Sequence, residues 1–331
     1  MSKTRLILTA LAAFSTTAFA TQSVNVYTEE FFGADWGPGL EVKTLFEKAN
    51  PQCQIHYTVF EQTSTLLNRL RLEKNKTQAD LVLGLHEQQL EAAEKTGLFA
   101  KINFDFNQLD LPESWKNPYF IPYEFGQFAF IYDKTKLTNP PKSLQELVER
   151  QDLRVIYQDP RTSSMGRGLV AWMNLVFGEN QIQQAWEKLA KHTVTVGKGW
   201  TETYGAFLKG EADLVLSHNT SPLYHLLKEQ KDHYAATQFT EGAIYQYTTA
   251  AKIAHRNNAC ADRFLQFIFT PEAQKIITPK NVMLSAISAE IEPHFDALKQ
   301  SQKASKTLDS SRVTESALKS WIATWQQVLS K

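Results

Sequence analysis

Strand-like and helix-like hydrophobic patterns alternate along most of the chain. Residues 23–28 alternate apolar and polar positions, as a strand does, and residues 39–49 carry apolar side chains at nearly helical spacing. The alternation continues with a strand at 55–60, a helix capped by Ser64 or Thr65, a buried strand at 80–85, and a helix at 87–96 that stops at Gly97. This order predicts a mostly parallel sheet covered by helices.

The pattern changes near Phe120. Residues 119–133 are aromatic and strand-like, and they are too long for one ordinary strand. An element that crosses between two lobes would explain this length, and the second aromatic strand at 243–251 would then be the return crossing. A second series of strands and helices lies between them, a helix pair at 261–277 is interrupted at Pro271, and a helix closes the chain at 313–329.

These crossings predict an α/β protein of two interleaved lobes, with a ligand cleft at the carboxyl ends of the strands. The predicted division is a signal peptide at 1–20, lobe 1 at 21–122, lobe 2 at 123–238, a return to lobe 1 at 239–280, and a C-terminal segment at 281–331 that packs mainly on lobe 2. We expect Trp172, Trp186, Trp321 and Trp325 to be core residues, because they lie within helical patterns.

The N-terminus has the three parts of a secretory signal. Lys3 and Arg5 precede the apolar run at 6–14, and Ala18-Phe19-Ala20 places small residues where a signal peptidase cleaves. The alternative is a buried N-terminal helix. No later apolar stretch is long enough to span a bilayer, so we expect a soluble, exported product.

Charge and motifs exclude several functions. Lys and Arg number 35, Asp and Glu number 35, and the pI is about 7.1, which argues against a nucleic-acid binder. The sequence has no GxSxG elbow, Walker motif or dinucleotide fingerprint, so no catalytic residue is assigned. It also has no HExxH and no CxxC, so no metal site is assigned. Cys53 and Cys260 are expected to be separate buried thiols, with a disulfide as the alternative.

Two loops carry a tryptophan at the predicted cleft. Trp36 lies among glycines near Glu29, Glu30 and Asp35, a combination that favours a flat cation. The alternative is a tryptophan that covers the lobe surface beside solvated acids. Trp200 follows a strand in the other lobe, so the two rings could clamp one ligand ring.

Polar residues begin three predicted helices. Ser163 and Ser164 could bind an anion such as phosphate at a helix N-terminus, although helix capping by one serine is the alternative. Gln62 and Thr63 could contact a polar ligand edge, and capping explains them equally well. The loop at 217–224 is polar and contains a tyrosine.

Several sequence runs together resemble the family of periplasmic thiamine-binding proteins of bacterial ABC transporters. These runs are TEEFFGADWGPG, STLLNRL, ADLVLGL, KTGLFAK, VIYQDPRTSS, TVTVGKGW and ADLVLSHNTSP. The resemblance implies a type II periplasmic binding protein fold, with mixed, mostly parallel sheets. It also implies a periplasmic, monomeric, non-enzymatic receptor without a cofactor. Such a receptor would bind thiamine, thiamine monophosphate or thiamine diphosphate and deliver it to an inner-membrane permease driven by an ATPase.

The resemblance also implies a set of ligand-binding residues, namely Glu29, Trp36, Gln62, Thr63, Ser163, Ser164, Trp200, His218, Asn219, Thr220, Ser221 and Tyr224. Glu29 and His218 replace tyrosines of the family pattern, and Val282 replaces a tryptophan. We expect Glu29 to offset the lost aromatic faces by pairing with the thiazolium. The alternatives are a receptor of the same fold for ferric ion or a polyamine, and a periplasmic thiamine-modifying enzyme.

Overall fold

The computed structural model describes residues 21–330, so the predicted signal peptide lies outside the described residues. The strands are β1 (Gln22–Glu29), β2 (Cys53–Phe60), β3 (Leu81–His86), β4 (Phe99–Ala100), β5 (Phe120–Asp133), β6 (Val155–Gln158), β7 (Thr193–Gly197), β8 (Leu214–His218), β9 (Tyr234–Ala236), β10 (Tyr245–Ile253) and β11 (Leu284–Ser285). The helices are α1 (Glu30–Gly33), α2 (Gly39–Ala49), α3 (Thr63–Glu73), α4 (Glu87–Glu94), α5 (Leu144–Glu149), α6 (Ser164–Ala190), α7 (Trp200–Leu208), α8 (Ser221–Glu229), α9 (Ala259–Ile268), α10 (Pro271–Asn281), α11 (Pro293–Gln302) and α12 (Glu315–Leu329). Within these bounds, none of the helices combines the length and apolar character that a membrane span requires.

Each lobe is built on parallel strands. In lobe 1, β1 lies between β2 and β3 and is parallel to both. In lobe 2, β6 lies between β7 and β8 and is parallel to both. β10 and β5 pair antiparallel with each other and complete the order β2-β1-β3-β10-β5-β8-β6-β7. The predicted mixed α/β architecture is therefore confirmed, with parallel strands inside each lobe and antiparallel pairings around β5 and β10.

The aromatic segment that the sequence marks as a crossing is one continuous strand. Residues 120–127 of β5 pair with β10, and the following residues pair with β8 and β9 of lobe 2. Pro122 lies at an irregularity in the pairing with β10, where a missing N–H is tolerated. Because β5 belongs to both sheets, it connects the two lobes without a flexible linker.

Apolar clusters cover both faces of each sheet. One face of the lobe 1 sheet carries Val24, Phe46 and Phe264, and the other carries Leu66 and Leu85. Lobe 2 is likewise covered on one side by α6 and α12 and on the other by α7. Burial on both faces explains why the β3 sequence is a nearly continuous apolar run.

The C-terminal segment contacts two places. Phe295 of α11 packs beside Phe125 at the crossing. On α12, Trp325 packs into the lobe 2 core and its indole N–H donates a hydrogen bond to the Tyr157 hydroxyl at 3.1 Å. Of the tryptophans expected in the core, Trp172, Trp186 and Trp325 are buried, and Trp321 is half-buried. The division of the chain into lobe segments at 21–122, 123–238, 239–280 and 281–331 stays a prediction.

A disulfide joins Cys53 at the start of β2 to Cys260 on α9, with a Cα–Cα distance of 5.5 Å. The expectation of two separate thiols was therefore wrong. Pattern analysis does not bring the two residues together because 207 positions separate them. Tertiary packing does so by placing the start of α9 against β1, where the Asn258 side-chain amide donates to the Ser23 carbonyl at 2.8 Å.

Replacing both cysteines by alanine should lower the free energy of unfolding by about 2–5 kcal/mol, the usual loss for a native disulfide. Urea unfolding with and without a thiol reductant measures this effect. The reductant should destabilise the wild-type protein and leave the double variant unchanged. Equal unfolding midpoints for both proteins in the absence of reductant would contradict a stabilising bridge.

Candidate functional site

The loops at the carboxyl ends of the parallel strands of both lobes meet across a cleft. The Lys198 ammonium of lobe 2 lies 2.6 Å from a carboxylate oxygen of Glu61 in lobe 1. Beside this pair, the Gln62 amide nitrogen lies 3.3 Å from the position that a Cβ atom on Gly199 would occupy. Both charged side chains are largely exposed, so the ion pair adds little stability by itself but marks where the lobes touch.

Three aromatic rings form a row across this contact. The Phe31 ring lies edge-on to Trp36 with centroids 5.5 Å apart and edge-on to Trp200 with centroids 6.0 Å apart. The two tryptophans predicted at the cleft are thus brought to one place, but Phe31 lies between them. Sequence analysis missed Phe31, which is half-buried on the short helix α1, although its place beside Phe32 in the same loop region as Trp36 was an available signal.

Trp200 is held rigidly from behind. Its ring stacks on Tyr204 with centroids 4.6 Å apart and an interplanar angle of 21°. Its indole N–H donates to the Ser217 hydroxyl at 2.7 Å, and that oxygen lies 2.7 Å from the Ser221 hydroxyl. Tyr204 therefore covers one face of this half-buried ring, and Phe31 of lobe 1 meets the ring in a T-shaped contact. Ser221 supports Trp200 through Ser217.

Glu29 ends β1 and is buried, with 7% of its surface exposed. One of its carboxylate oxygens lies 3.7 Å from Nε2 of His86, which ends β3. Gly84 makes room for this side chain. A Cβ atom there would lie 3.0 Å from Glu29 Cγ, and the backbone has φ +119°, a region that favours glycine.

The acids near Trp36 in the sequence have different environments. Asp35 is exposed, whereas burial, followed by the charges of Glu61 and Glu29, raises the pKa of Glu30. The negative charge expected beside the tryptophan is therefore spread from the exposed cleft rim to the buried end of β1.

A second buried carboxyl group lies near Glu29 and was missed by the sequence analysis. Glu124 of β5 is 3% exposed and accepts a hydrogen bond from the Asn281 amide at 2.8 Å. Burial, with the charge of Glu29 adding to it, raises the pKa of Glu124 to about 8. An acid inside the otherwise aromatic crossing strand was the signal that could have found it.

His218 lies at the carboxyl end of β8, and its ring packs on Phe128 with centroids 5.4 Å apart. Burial, helped by the nearby His86, lowers the pKa of His218 to about 3, so the imidazole is neutral at physiological pH. Its Nε2 atom has no hydrogen-bond partner among residues 21–330. His218 therefore offers one uncommitted ring nitrogen at the base of the cleft.

The serine pair at the start of α6 has two different roles. Ser163 is the N-cap, and its hydroxyl accepts a hydrogen bond from the Met165 N–H at 3.2 Å, whereas Ser164 is the first helical residue. The capping alternative thus accounts for Ser163. Arg161 is paired with Asp159 at 2.5 Å.

Arg167, one turn into α6, donates through Nε to the Pro160 carbonyl at 3.1 Å. Burial lowers the pKa of Arg167, and the charge of Arg71 in lobe 1 lowers it further. Arg71 itself pairs with Glu315 at 3.8 Å, so Arg167 is the arginine that contributes positive charge near this helix start.

The remaining predicted residues divide into scaffold and cleft positions. The Asn219 side chain and N–H both bond to the backbone of Gln127, at 3.3 and 2.9 Å. Thr220 is buried, and its hydroxyl has no partner in the described part of the chain. Tyr224 is 45% exposed and its ring edge contacts His225.

The start of α3 differs from the expected cap. The helix begins at Thr63, with Gln62 as N-cap and no side-chain capping bond, so capping by Ser64 or Thr65 was wrong. The Gln62 amide is consequently uncommitted to the helix and extends toward lobe 2. Thr63 is buried, with 5% of its surface exposed.

The fold and this cleft define a protein class. Residues 13–275 match the family described as bacterial extracellular solute-binding protein, and the chain belongs to that family. Its fold is that of the type II periplasmic binding proteins, as expected.

The chain is 60% identical over 329 residues to the thiamine-binding periplasmic protein of Haemophilus influenzae, covering 99% of both chains. It is 48% identical to the thiamine-binding periplasmic protein of Escherichia coli, covering 95% of both.

Solved structures agree with the fold. A periplasmic thiamin binding protein superposes with a TM-score of 0.83 at 45% identity, covering 94% of this chain and 97% of that one. The apo ferric ion-binding protein A of Pasteurella haemolytica superposes with a TM-score of 0.77 at 15% identity, covering 93% and 98%, and shares the fold. Across residues 21–330, no group of three or more His, Cys, Asp or Glu is arranged to hold a metal ion.

Gly84→Ala should lower the free energy of unfolding by about 1–3 kcal/mol, because it adds a strained backbone and a close contact with Glu29. Gly97→Ala is the matched control. Its φ is +68° but no atom lies within 4 Å of the added Cβ, so only the backbone strain of about 1 kcal/mol is expected. Urea unfolding measures both, and equal losses would contradict the close packing of Glu29 over Gly84.

Proposed function

We propose that this protein is a periplasmic receptor that binds thiamine in the cleft between its lobes. The observation that carries the proposal is the placement of an aromatic face, Trp200, in the same cleft as the buried carboxyl groups of Glu29 and Glu124. A flat ring with a positive charge matches both features, since aromatic faces and carboxylates both attract cations. The names of the two thiamine-binding relatives support the same ligand.

The proposed ligand contacts fall into three groups. Trp200, with Trp36 and Phe31 at the rim, supplies ring contacts. Glu29 attracts the thiazolium charge, and the uncommitted polar atoms of Gln62, Thr220 and His218 offer hydrogen bonds to the pyrimidine. Asn219 and Ser221 act through the backbone and through Trp200, as their hydrogen bonds indicate. Thr63 and Tyr224 complete the proposed set.

The protein acts as a receptor and not as an enzyme in this proposal. Closure of the two lobes around the ligand would present one shape to an inner-membrane ABC permease with its ATPase. The Glu61–Lys198 ion pair and the Phe31–Trp200 contact join the lobes in this structure, and separation of the lobes would break them. We propose that the protein is a monomer without a cofactor. Capture of a ligand between two lobes of one chain requires neither a second subunit nor a cofactor.

Phosphate esters of thiamine are proposed as further ligands. The N-terminus of α6 provides free amides and a favourable dipole, and Ser164 is its first residue. The guanidinium group of Arg167 adds positive charge there, and the charge of Arg71, which pairs with Glu315, also acts on Arg167. A phosphate bound at this helix start would offset the repulsion between the two arginines.

Isothermal titration calorimetry with thiamine, its two phosphate esters, Fe³⁺ and a polyamine tests the function. Thiamine should bind, and Trp200→Ala should weaken that binding by about 1–3 kcal/mol because a stacking partner is lost. Trp321→Ala is the control, since this half-buried tryptophan packs against the lobe 2 core. Tight binding of Fe³⁺ or the polyamine without thiamine binding would refute the proposal, as would turnover of thiamine.

Ser163→Ala with Ser164→Ala should weaken binding of the monophosphate and diphosphate more than binding of thiamine. The lost N-cap should also lower the free energy of unfolding by about 1 kcal/mol. Ser143→Ala is the matched control, because Ser143 caps α5 through a 2.9 Å bond from the Glu146 N–H. The control should show a similar loss of stability and unchanged affinities. Equal losses for thiamine and its esters in the double variant would rule out a phosphate role.

A further inference from the structure

Titratable side chains from four strands converge at the base of the cleft. Glu29 ends β1, His86 ends β3, His218 ends β8, and Glu124 lies on the crossing strand β5. Glu29, His86 and Glu124 are each at least nine-tenths buried, with 7%, 3% and 3% exposed. We call Glu29, His86 and Glu124 the acidic floor.

The imidazole of His86 contacts one carboxyl group of the acidic floor and acts on the other through its charge. His86 Nε2 lies 3.7 Å from Glu29, and Glu124 accepts its hydrogen bonds from the neutral side chains of Asn281 and Thr248. Within residues 21–330, no Lys or Arg forms an ion pair with Glu29 or Glu124. The floor therefore contains more acid than permanent positive charge.

A buried hydroxyl group that lies within electrostatic reach of both carboxyl groups has no hydrogen-bond partner among the described residues. Tyr123 is fully buried, and burial followed by the charges of Glu124 and Glu29 raises its pKa well above the usual range. Its hydroxyl has no hydrogen-bond partner among the described residues, and neither does the Asn281 carbonyl oxygen. Since buried polar atoms are normally paired, these atoms indicate contacts that a bound molecule would complete.

A purely structural carboxylate in the same lobe is arranged differently. Asp80 is 1% exposed, but its oxygens accept from the Asn25 N–H at 2.8 Å and from the Arg256 guanidinium at 3.1 Å. Its charge is neutralised by a permanent cation within the chain. The acidic floor lacks such a cation, which distinguishes it from a structural ion pair.

We propose that the acidic floor is a binding site for the positive charge of the ligand, and that Glu124 determines selectivity for cationic over neutral ligands. This inference rests on the proposed thiamine-binding function and extends it to residues beyond the cleft loops. Glu29 and Glu124 would share the ligand charge from two strands, and His86 would hold both carboxyl groups in place.

Proton release should accompany ligand binding. The groups that act on Glu124 are Asn281 on α10, Glu29 on β1, Thr248 on β10 and His86 on β3, and Glu124 in turn acts on Tyr123 of its own strand. Because the pKa of Glu124 is about 8, this carboxyl is largely protonated at pH 7. Burial opposes protonation of His86, but the charge and hydrogen bond of Glu29 together with the charges of Glu87 and Glu124 outweigh burial and raise the pKa of His86.

A bound cation favours the ionised carboxylate and lowers the pKa of Glu124 in the complex. The relevant pH window lies between the pKa of Glu124 in the complex and its pKa of about 8 in the free protein. Within this window ligand binding releases protons, so the affinity for a cation should rise with pH. Above the window the carboxyl is ionised in both states, so the pH dependence should disappear.

Calorimetry of the wild-type protein at pH 7.5 in buffers of different ionisation enthalpy measures the number of protons released. Thiamine should release up to about one proton per molecule bound. Deazathiamine, in which a carbon atom replaces the charged ring nitrogen, should release none. This measurement of proton release uses only the wild-type protein, so its outcome does not depend on whether a variant folds.

Glu124→Gln tests the selectivity. The substitution should weaken thiamine binding by roughly tenfold, the change that corresponds to a shift of about one pKa unit in Glu124 on binding. It should also reduce the number of protons released. The affinity for deazathiamine should change little. Glu113→Gln is the matched control, because Glu113 is also partly buried and accepts from the Tyr247 hydroxyl at 3.1 Å. The control should leave both affinities and the proton release unchanged.

Three outcomes separate the inference from the proposed function. Thiamine binding without proton release would overturn the inference while leaving the receptor function intact. Equal loss of thiamine and deazathiamine affinity in Glu124→Gln would show that Glu124 has only a structural role and would overturn it as well. Absence of thiamine binding to the wild-type protein would overturn the proposed function itself.

Discussion

The pairing of β5 with strands of both lobes is the constraint on which the rest of the structure depends. Its first half bonds to β10 and its second half to β8 and β9, so a single unbroken strand belongs to both sheets. Backbone hydrogen bonds on both sides make its position stiff, and the carboxyl ends of the parallel strands of the two lobes consequently face each other. The disulfide between Cys53 and Cys260 adds a second link, joining the first segment of lobe 1 to the segment that returns after β10.

The cleft combines a buttressed aromatic side chain, Trp200, with an exposed ion pair at its rim. Trp200 is fixed by stacking on Tyr204 and by its bond to Ser217, whereas the exposed side chains of Glu61 and Lys198 form an ion pair across the cleft. Such a division suits a receptor. Trp200 retains its geometry when the lobes separate, because all its supports lie in lobe 2, and the rim contacts break at little energetic expense.

Charge in the cleft is arranged by depth and not by total amount. Lys and Arg balance Asp and Glu over the chain at 35 each. Locally, the acids Glu29 and Glu124 are buried beneath the cleft, whereas Arg167 lies near the start of α6. A molecule with a cationic ring and an anionic end could satisfy both regions at once. Low polarity around the buried acids strengthens their effect, since fewer water molecules screen them.

Sequence pattern determined the order of strands and helices, the two crossings, and the tryptophans at 36 and 200 as cleft residues, because these depend on local periodicity and on where strands end. Only the tertiary structure decided which distant residues contact each other. It joined Cys53 to Cys260, placed Phe31 between the two tryptophans, and brought Glu124 beside Glu29. These pairs are far apart in the chain or lie on separate strands, and hydrophobic periodicity reports which face of an element is buried, not which distant residue it meets.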